Sequence, residues 1–133
     1  MIPEFNEQGY LPPGIHVATL EEVASRFGTQ SELRRVQMES LRWLVELAKK
    51  AGVRRLVING SFVTQRLEPN DIDCALLTGP DYPRDKGADR EILSGLPFLE
   101  IALFGQEDFD YLVDAVFATD RQQAPKGVVE VIL

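Results

Sequence analysis

The spacing of apolar residues predicts two helices in the first part of the chain. A capping-box pattern, in which Thr19 is followed three residues later by Glu22, precedes a short helical segment that ends near Gly28. A longer helix follows, because apolar residues recur at i, i+3 and i+4 spacing until Gly52, where a C-terminal cap belongs. We place its start at a second capping box, Thr29-Gln-Ser-Glu32. The residues predicted for its buried face are Leu33, Val36, Gln37, Leu41, Leu44, Val45 and Ala48.

The opposite face of the longer helix carries charges of both signs. Pairs of opposite charge are spaced four residues apart, and they are Arg35 with Glu39, Arg42 with Glu46, and Glu46 with Lys50. Two interpretations are open: a solvent-exposed face stabilised by such pairs, or a basic patch that binds phosphate. We favour the exposed face, because the acidic residues interleave with the basic ones.

After Gly52 the pattern becomes that of β-strands separated by turns and short helices. A nearly continuous apolar run predicts a central strand, and a segment that begins with alternating charged and aliphatic residues predicts the next. The predicted strands are 55–59, 71–77, 99–104 and 128–133, and the predicted helices between them are 88–94 and 107–118. This order predicts an α+β fold, with a small mixed β-sheet and helices packed on one face.

The first eighteen residues hold three of the eight prolines, so we predict an extended N-terminal arm over 1–18. Neither a long linker nor an internal repeat divides the 133 residues, and this length suits one domain. We therefore expect a single domain over 1–133 that includes the arm.

Composition and charge exclude several classes of protein. No apolar run approaches the length of a membrane span, and the N-terminus shows no signal-peptide pattern. The single cysteine excludes an internal disulfide framework, so we expect a reducing, cytoplasmic setting. The net charge of −7 disfavours a nucleic-acid binder. Residues 57–133 carry six basic and fourteen acidic side chains, so a cation or a basic partner would be attracted there.

The candidate chemistry lies between the first two strands after Gly52. Gly60 and Ser61 follow an apolar strand, and Asp71 and Asp73 begin the next one. Because side chains alternate along a strand, both carboxylates share one face, where their repulsion favours a bound cation. Closely spaced carboxylates suit Mg²⁺ or Mn²⁺ together with substrate phosphates. Gly60 lets the backbone approach a phosphate, and the Ser61 hydroxyl can hold it.

This arrangement of a strand, Gly-Ser, about ten residues and Asp-apolar-Asp resembles the signature of polymerase-β-like nucleotidyltransferases. The resemblance covers about 53–104. It implies a nucleotidyltransferase-like fold and a third carboxylate from a later strand, a place that Glu100 fits between two apolar neighbours. It also implies that Asp71, Asp73 and Glu100 are catalytic and hold the metal ions, and that Gly60 and Ser61 bind the nucleotide phosphates.

The resemblance implies a metal-dependent enzyme that transfers a nucleoside monophosphate from an NTP to a hydroxyl group. We expect a single domain without a second one to hold a template or tRNA, so a small molecule or a protein is the expected acceptor. Minimal members of the superfamily often belong to toxin–antitoxin pairs, which implies a basic, toxin-like protein partner. The arm from Phe5 to His16 also resembles an uncharacterised group of small bacterial nucleotidyltransferase-like proteins, a resemblance that supplies no activity.

The alternative is a catalytically inactive module of the same fold that binds a partner protein. Two departures from the family pattern favour it. Phe62-Val63-Thr64 stands where minimal members often have Arg-Gly, and Glu100 stands where Asp is more usual.

Other residues have both a structural and a functional interpretation. Cys74 is expected to be a buried apolar residue rather than a nucleophile, and His16 an ordinary residue of the arm. Trp43 lies off the apolar stripe, so it either packs under the arm or marks a partner surface. Three acids of the last predicted helix could ligate a metal, although they also suit a helix N-terminus and an exposed face. These acids are Asp108, Asp110 and Asp114.

Overall fold

The two predicted N-terminal helices are present in the computed structural model, which describes residues 1–133. Helix α1 spans Leu20–Phe27 and helix α2 spans Glu32–Ala51. The capping box of α1 is confirmed, because Thr19 and Glu22 exchange both side-chain-to-backbone hydrogen bonds. The second predicted capping box is wrong: the cap of α2 is Ser31, whose hydroxyl accepts a hydrogen bond from the backbone N–H of Arg34.

The sheet contains five strands of mixed direction, which confirms the predicted α+β class. The strands are β1 (Gly14–Ala18), β2 (Val53–Asn59), β3 (Ile72–Thr78), β4 (Leu99–Phe104) and β5 (Gly127–Val131), in the spatial order β1-β5-β2-β3-β4. Strand β2 is antiparallel to both of its neighbours, whereas the β1–β5 and β3–β4 pairs are parallel. Helix α3 (Lys86–Ser94) lies between β3 and β4 in the chain. Helix α4 (Gln106–Tyr111) continues as a wider helical turn over Leu112–Val116.

The arm is more structured than the sequence predicts. Its last five residues form β1 at one edge of the sheet, and Leu11 just before it is fully buried. The arm pairs with β5, more than a hundred residues later, so local sequence pattern carries no sign of this strand. His16 donates a hydrogen bond to the Pro12 carbonyl at 2.7 Å, in keeping with an ordinary arm residue.

The prediction of helices on one face only is wrong, because the sheet is covered on both. The larger apolar core lies between the sheet and α1 to α3. A smaller core under α4 consists of Val57, Ala75, Leu77, Phe109, Val113 and Val128. Strands β2 and β3 are central and apolar on both faces, so each face needs a cover. No helix is long and apolar enough to cross a membrane.

The faces of α2 differ from the prediction at two positions. Val36 is 49% exposed, whereas Arg34 is 2% exposed. The predicted pairs at i, i+4 spacing are absent: Arg42 instead binds Glu21 of α1 at 2.9 Å, because α1 lies alongside. Trp43 is 48% exposed and so does not pack under the arm.

Candidate functional site

Three polar residues form a row across β2, β3 and β4, where β2 ends and β3 begins. Asn59 of β2 lies opposite Asp73 of β3, and Asp73 lies opposite Glu100 of β4. Residues directly opposite each other in a sheet project from the same face, so these three side chains share the face that α4 covers. Cys74 projects into the larger core on the other face, as predicted, and burial raises the pKa of its thiol.

Asp73 and Glu100 interact directly. The pKa of Asp73 is raised to about 6, first because the carboxyl group is partly buried and second because it shares a hydrogen bond with Glu100. Repulsion from the Glu100 charge adds to this rise. Two carboxylates in such contact hold a proton between them when no cation is present. The pair is therefore suited to exchange that proton for a metal ion.

Asp71 is less closely engaged than the pattern predicts. It precedes β3, and its repulsion makes the smallest contribution to the raised pKa of Asp73. No three His, Cys, Asp or Glu side chains lie close enough together to hold a metal ion in this conformation. The structure thus joins Asp73 with Glu100 and sets Asp71 next to them, and a shared metal ion stays a prediction.

The buried amide of Asn59 supports a cation at this row. Its Oδ1 atom is buried and has no hydrogen-bond partner. A buried oxygen without a donor is costly unless it meets a water molecule or a cation. Together with the carboxylates it forms a donor set of oxygen atoms, which is what Mg²⁺ and Mn²⁺ prefer. The residues present fit such an ion.

Gly60 brings the predicted phosphate-binding turn against this row. A Cβ atom on residue 60 would lie 2.9 Å from Oδ2 of Asp73, and the φ angle there is +90°. The φ angle favours glycine at this position, and a side chain there would displace the Asp73 carboxylate. Ser61 begins the single 3₁₀ turn Ser61–Val63.

A cavity of about 290 Å³ lies beside this turn. The arm forms one wall, where the backbone N–H of Gln65 donates to the Gly9 carbonyl at 3.0 Å. Its lining residues are Gln8, Gly9, Tyr10, Gly60, Ser61, Thr64, Gln65, Arg66 and Lys126. The lining holds two cationic side chains and no acidic one, so it suits an anion such as phosphate.

Lys126 links this cavity to the carboxylates and was missed by the sequence reasoning. Burial lowers its pKa, while attraction to Asp73 and Asp120 acts in the opposite sense. The same attraction lowers the pKa of Asp73, against the larger effects of burial and Glu100. Lys126 is distant from Asp73 in the sequence and meets it only because β5 returns beside β2, so no local pattern could have identified it.

The loop that carries the site is fastened to α2. The Arg34 guanidinium donates to the carbonyls of Phe62 at 2.7 Å and Thr64 at 3.0 Å. One turn later, Gln37 donates to the Pro69 carbonyl at 2.6 Å. The helix thereby fixes the connection between Gly60 and Asp71 at both ends.

A second cavity, of about 360 Å³, opens on the other side of the carboxylates. Its lining is mostly apolar and consists of Asp73, Cys74, Glu100, Ile101, Ala102, Phe104, Leu112 and Phe117. We call it the β4 groove. Asp73 and Glu100 therefore have a cationic cavity on one side and an apolar groove on the other.

The acids of α4 do not join this row. Asp110 accepts a hydrogen bond from Gln106, and the charges of Asp110 and Asp114 act on Arg55. Arg55 in turn forms an ion pair with Glu130 at 2.6 Å. Asp108 is exposed in the first turn of α4, where a negative charge is favourable.

Comparison with protein families places the chain in DUF6932, a family of unknown function, whose model matches residues 3–132. The chain belongs to this family. Comparisons with curated proteins and with solved structures gave no match.

Proposed function

We propose that the protein transfers a nucleoside monophosphate from an NTP to a hydroxyl group, on a nucleotidyltransferase-like fold. The observation that carries the proposal is the meeting of Gly60 with Asp73 between a cationic cavity and a carboxylate pair. Phosphoryl transfer needs a site that positions the phosphates and neutralises their charge. In this proposal the cationic cavity positions the phosphates, and the carboxylate pair would hold the metal ion that neutralises the charge.

In the proposed reaction, separate groups of residues bind the phosphates and the metal ion. Ser61, Arg66 and Lys126 line the cavity that suits the phosphates distal to the reacting one. Asp73 and Glu100, with Asp71 beside them, would hold Mg²⁺ or Mn²⁺, which supplies charge neutralisation at the reacting phosphate. Asn59 adds a buried oxygen at the same row.

The transfer balances with these groups. The acceptor oxygen forms a bond to the α-phosphorus, the bond from that phosphorus to the bridging oxygen breaks, and pyrophosphate leaves. The acceptor hydroxyl loses its proton to solvent water, because Asp73 and Glu100 are the residues that would hold the metal ion.

The alternative is a binding module without chemistry, such as an antitoxin-like protein that neutralises a basic partner. The observation that favours it is the burial of Phe62 and Val63, which stand where minimal nucleotidyltransferases often have Arg-Gly. These side chains serve the core, and Arg66 is left as the one cation of the loop.

The test is transfer of label from α-labelled NTP, with Mg²⁺ or Mn²⁺, to polyols and to basic proteins. Asp73→Ala should abolish transfer, whereas Ser61→Ala should reduce it up to about a hundredfold, as for one hydrogen bond to a charged group. Label transferred equally by the wild type and Asp73→Ala would refute the proposed site. Tight binding of a basic protein with no transfer would favour the binding module.

A further inference from the structure

Strand β4 forms an open edge of the sheet next to the carboxylates. It pairs only with β3, on one side. The N–H of Ile72 donates to the Phe98 carbonyl at 2.9 Å. This bond determines which residues of β4 form backbone hydrogen bonds with β3. Bonding groups alternate along a strand, so the backbone of Glu100 and Ala102 faces β3. The N–H and C=O groups of Ile101 and Leu103 then face away from the sheet.

This edge has little of the usual protection against pairing. Exposed edge strands are commonly blunted by lysine, proline or a bulge. Strand β4 reads Leu-Glu-Ile-Ala-Leu-Phe, in which Glu100 is the only charged residue, and its pairing with β3 is continuous. An extended segment could therefore add to it through main-chain hydrogen bonds.

The edge also leads to the proposed reaction centre. Side chains directly opposite each other on adjacent strands lie about 5 Å apart at Cβ, so an added strand would set one side chain beside Glu100. The next side chain on that face would lie beside Ala102, over the β4 groove with Phe104 and Leu112. The geometry suits a hydroxyl-bearing residue two positions from a large apolar one.

The charge around the edge selects the partner. Glu100 lies on the strand itself, Glu107 and Asp108 follow directly after it, and residues 91–120 contain no lysine or arginine. Pairing of two copies through β4 would bring two such acidic segments together, so a second copy is repelled. A segment rich in lysine or arginine is attracted.

We propose that the acceptor is a serine, threonine or tyrosine in an extended, basic protein segment that adds to β4 as a sixth strand. This inference rests on the proposed function and names the acceptor for it. The side-chain oxygen bonds to the α-phosphorus of the NTP, pyrophosphate leaves, and the hydroxyl proton passes to solvent water.

The test uses the full chain and a pool of nine-residue peptides. Each peptide alternates apolar residues and lysine around a central serine, threonine or tyrosine. Amide hydrogen exchange, read by NMR, should slow about tenfold or more at Ile101 and Leu103 when peptide binds. The amides of Glu100 and Ala102, already bonded to β3, serve as internal controls. With Mg²⁺ and labelled NTP, label should appear on the central hydroxyl.

Two kinds of variant separate docking from folding. Leu103→Pro removes one outward N–H, a change that an edge strand tolerates, and should abolish peptide binding while Mg²⁺-dependent NTP binding persists. Should that variant fail to fold, Glu107→Gln with Asp108→Asn leaves the edge intact and should weaken peptide binding several-fold. Its matched control is Glu4→Gln with Glu7→Gln, which removes two exposed charges from the arm and should leave binding unchanged.

The outcomes for docking and for catalysis are distinct. Slowed exchange at Ile101 and Leu103 without label transfer would uphold docking and contradict the nucleotidyl transfer. Label transfer without slowed exchange would uphold the transfer and overturn docking at β4. Slowed exchange that depends on protein concentration without peptide would assign the edge to a second copy and overturn the inference, as would no peptide binding at all.

Discussion

The Oδ2 atom of Asp73 lies 2.9 Å from the point that a Cβ atom on residue 60 would occupy. The glycine of the predicted phosphate-binding turn and the carboxylate of the proposed metal site are therefore packed against each other. Because the φ angle of Gly60 is +90°, a side chain there would be disfavoured by the backbone as well as by this contact.

Gly60→Ala should disrupt the site, and Gly95→Ala is its matched control. Gly95 has a φ of +86°, but nothing lies within 4 Å of its added Cβ. Each variant should lose about 1–3 kcal/mol of unfolding free energy from the strained backbone. We expect Mg²⁺ to raise the melting temperature of the wild type and of Gly95→Ala but not of Gly60→Ala, because the added methyl group displaces the Asp73 carboxylate. If Mg²⁺ changed the melting temperature of the two variants equally, the contact between residue 60 and Asp73 would not be needed for Mg²⁺ binding.

Arg34 should be essential for stability, although it is a charged residue of an amphipathic helix. Arg34→Met leaves several backbone carbonyls of the 61–66 segment without a donor, so the unfolding free energy should fall by about 2–4 kcal/mol. Arg35→Met, at the exposed neighbouring position, should change it by no more than about 0.5 kcal/mol. Urea unfolding measures both, and similar losses would contradict the role of Arg34.

Asp73 should make the stability of the metal-free protein depend on pH. Its folded-state pKa of about 6 lies above the ordinary 3.8, so the folded protein holds this proton more tightly than the unfolded chain does. The resulting stabilisation is fully present below about pH 4 and is lost as pH rises through about 6. The wild type should therefore lose stability relative to Asp73→Asn over that interval in chelator. A constant difference between the two proteins in urea unfolding would contradict the raised pKa of Asp73.

Lys126 should strengthen NTP binding from the cationic cavity. Lys126→Met removes one of its two cations, so NTP affinity should fall about 10- to 100-fold, the equivalent of one hydrogen bond to a charged group. Lys86→Met, at the exposed start of α3, removes the same charge outside the cavity and should have little effect. Calorimetric titration at fixed ionic strength compares them. Unchanged NTP affinity in Lys126→Met would show that the phosphates do not bind in this cavity.

Local patterns predict the secondary structure where the signal lies within the element. The caps at Thr19 and Gly52 and the apolar run of β2 are of this kind, and each is confirmed. Strand β1 was not predicted, because it forms only by pairing with the distant strand β5. The sequence did not predict that α4 covers a second apolar face of the sheet. A continuous apolar run indicates a central strand, but it does not indicate which helix covers which side.

The candidate site divides in the same way. The pairing of Asp73 with Glu100 follows from the resemblance, which implies a third carboxylate from a later strand. The roles of Arg34 and Lys126 do not, since an arginine in a charge-rich helix is ordinarily exposed and a lysine in a turn ordinarily solvated. Both become partly or wholly buried only through contacts made by distant segments.

We propose that Asp73 and its neighbours bind a divalent cation together with NTP. The decisive measurement is calorimetric titration of a non-hydrolysable NTP into the wild type and Asp73→Asn, each in Mg²⁺ and in chelator. We expect the wild type to bind in Mg²⁺ alone, and we expect that binding to be lost in chelator and in the variant. Equal binding by the wild type and Asp73→Asn in Mg²⁺, or no binding by the wild type with Mg²⁺ or Mn²⁺, would contradict it.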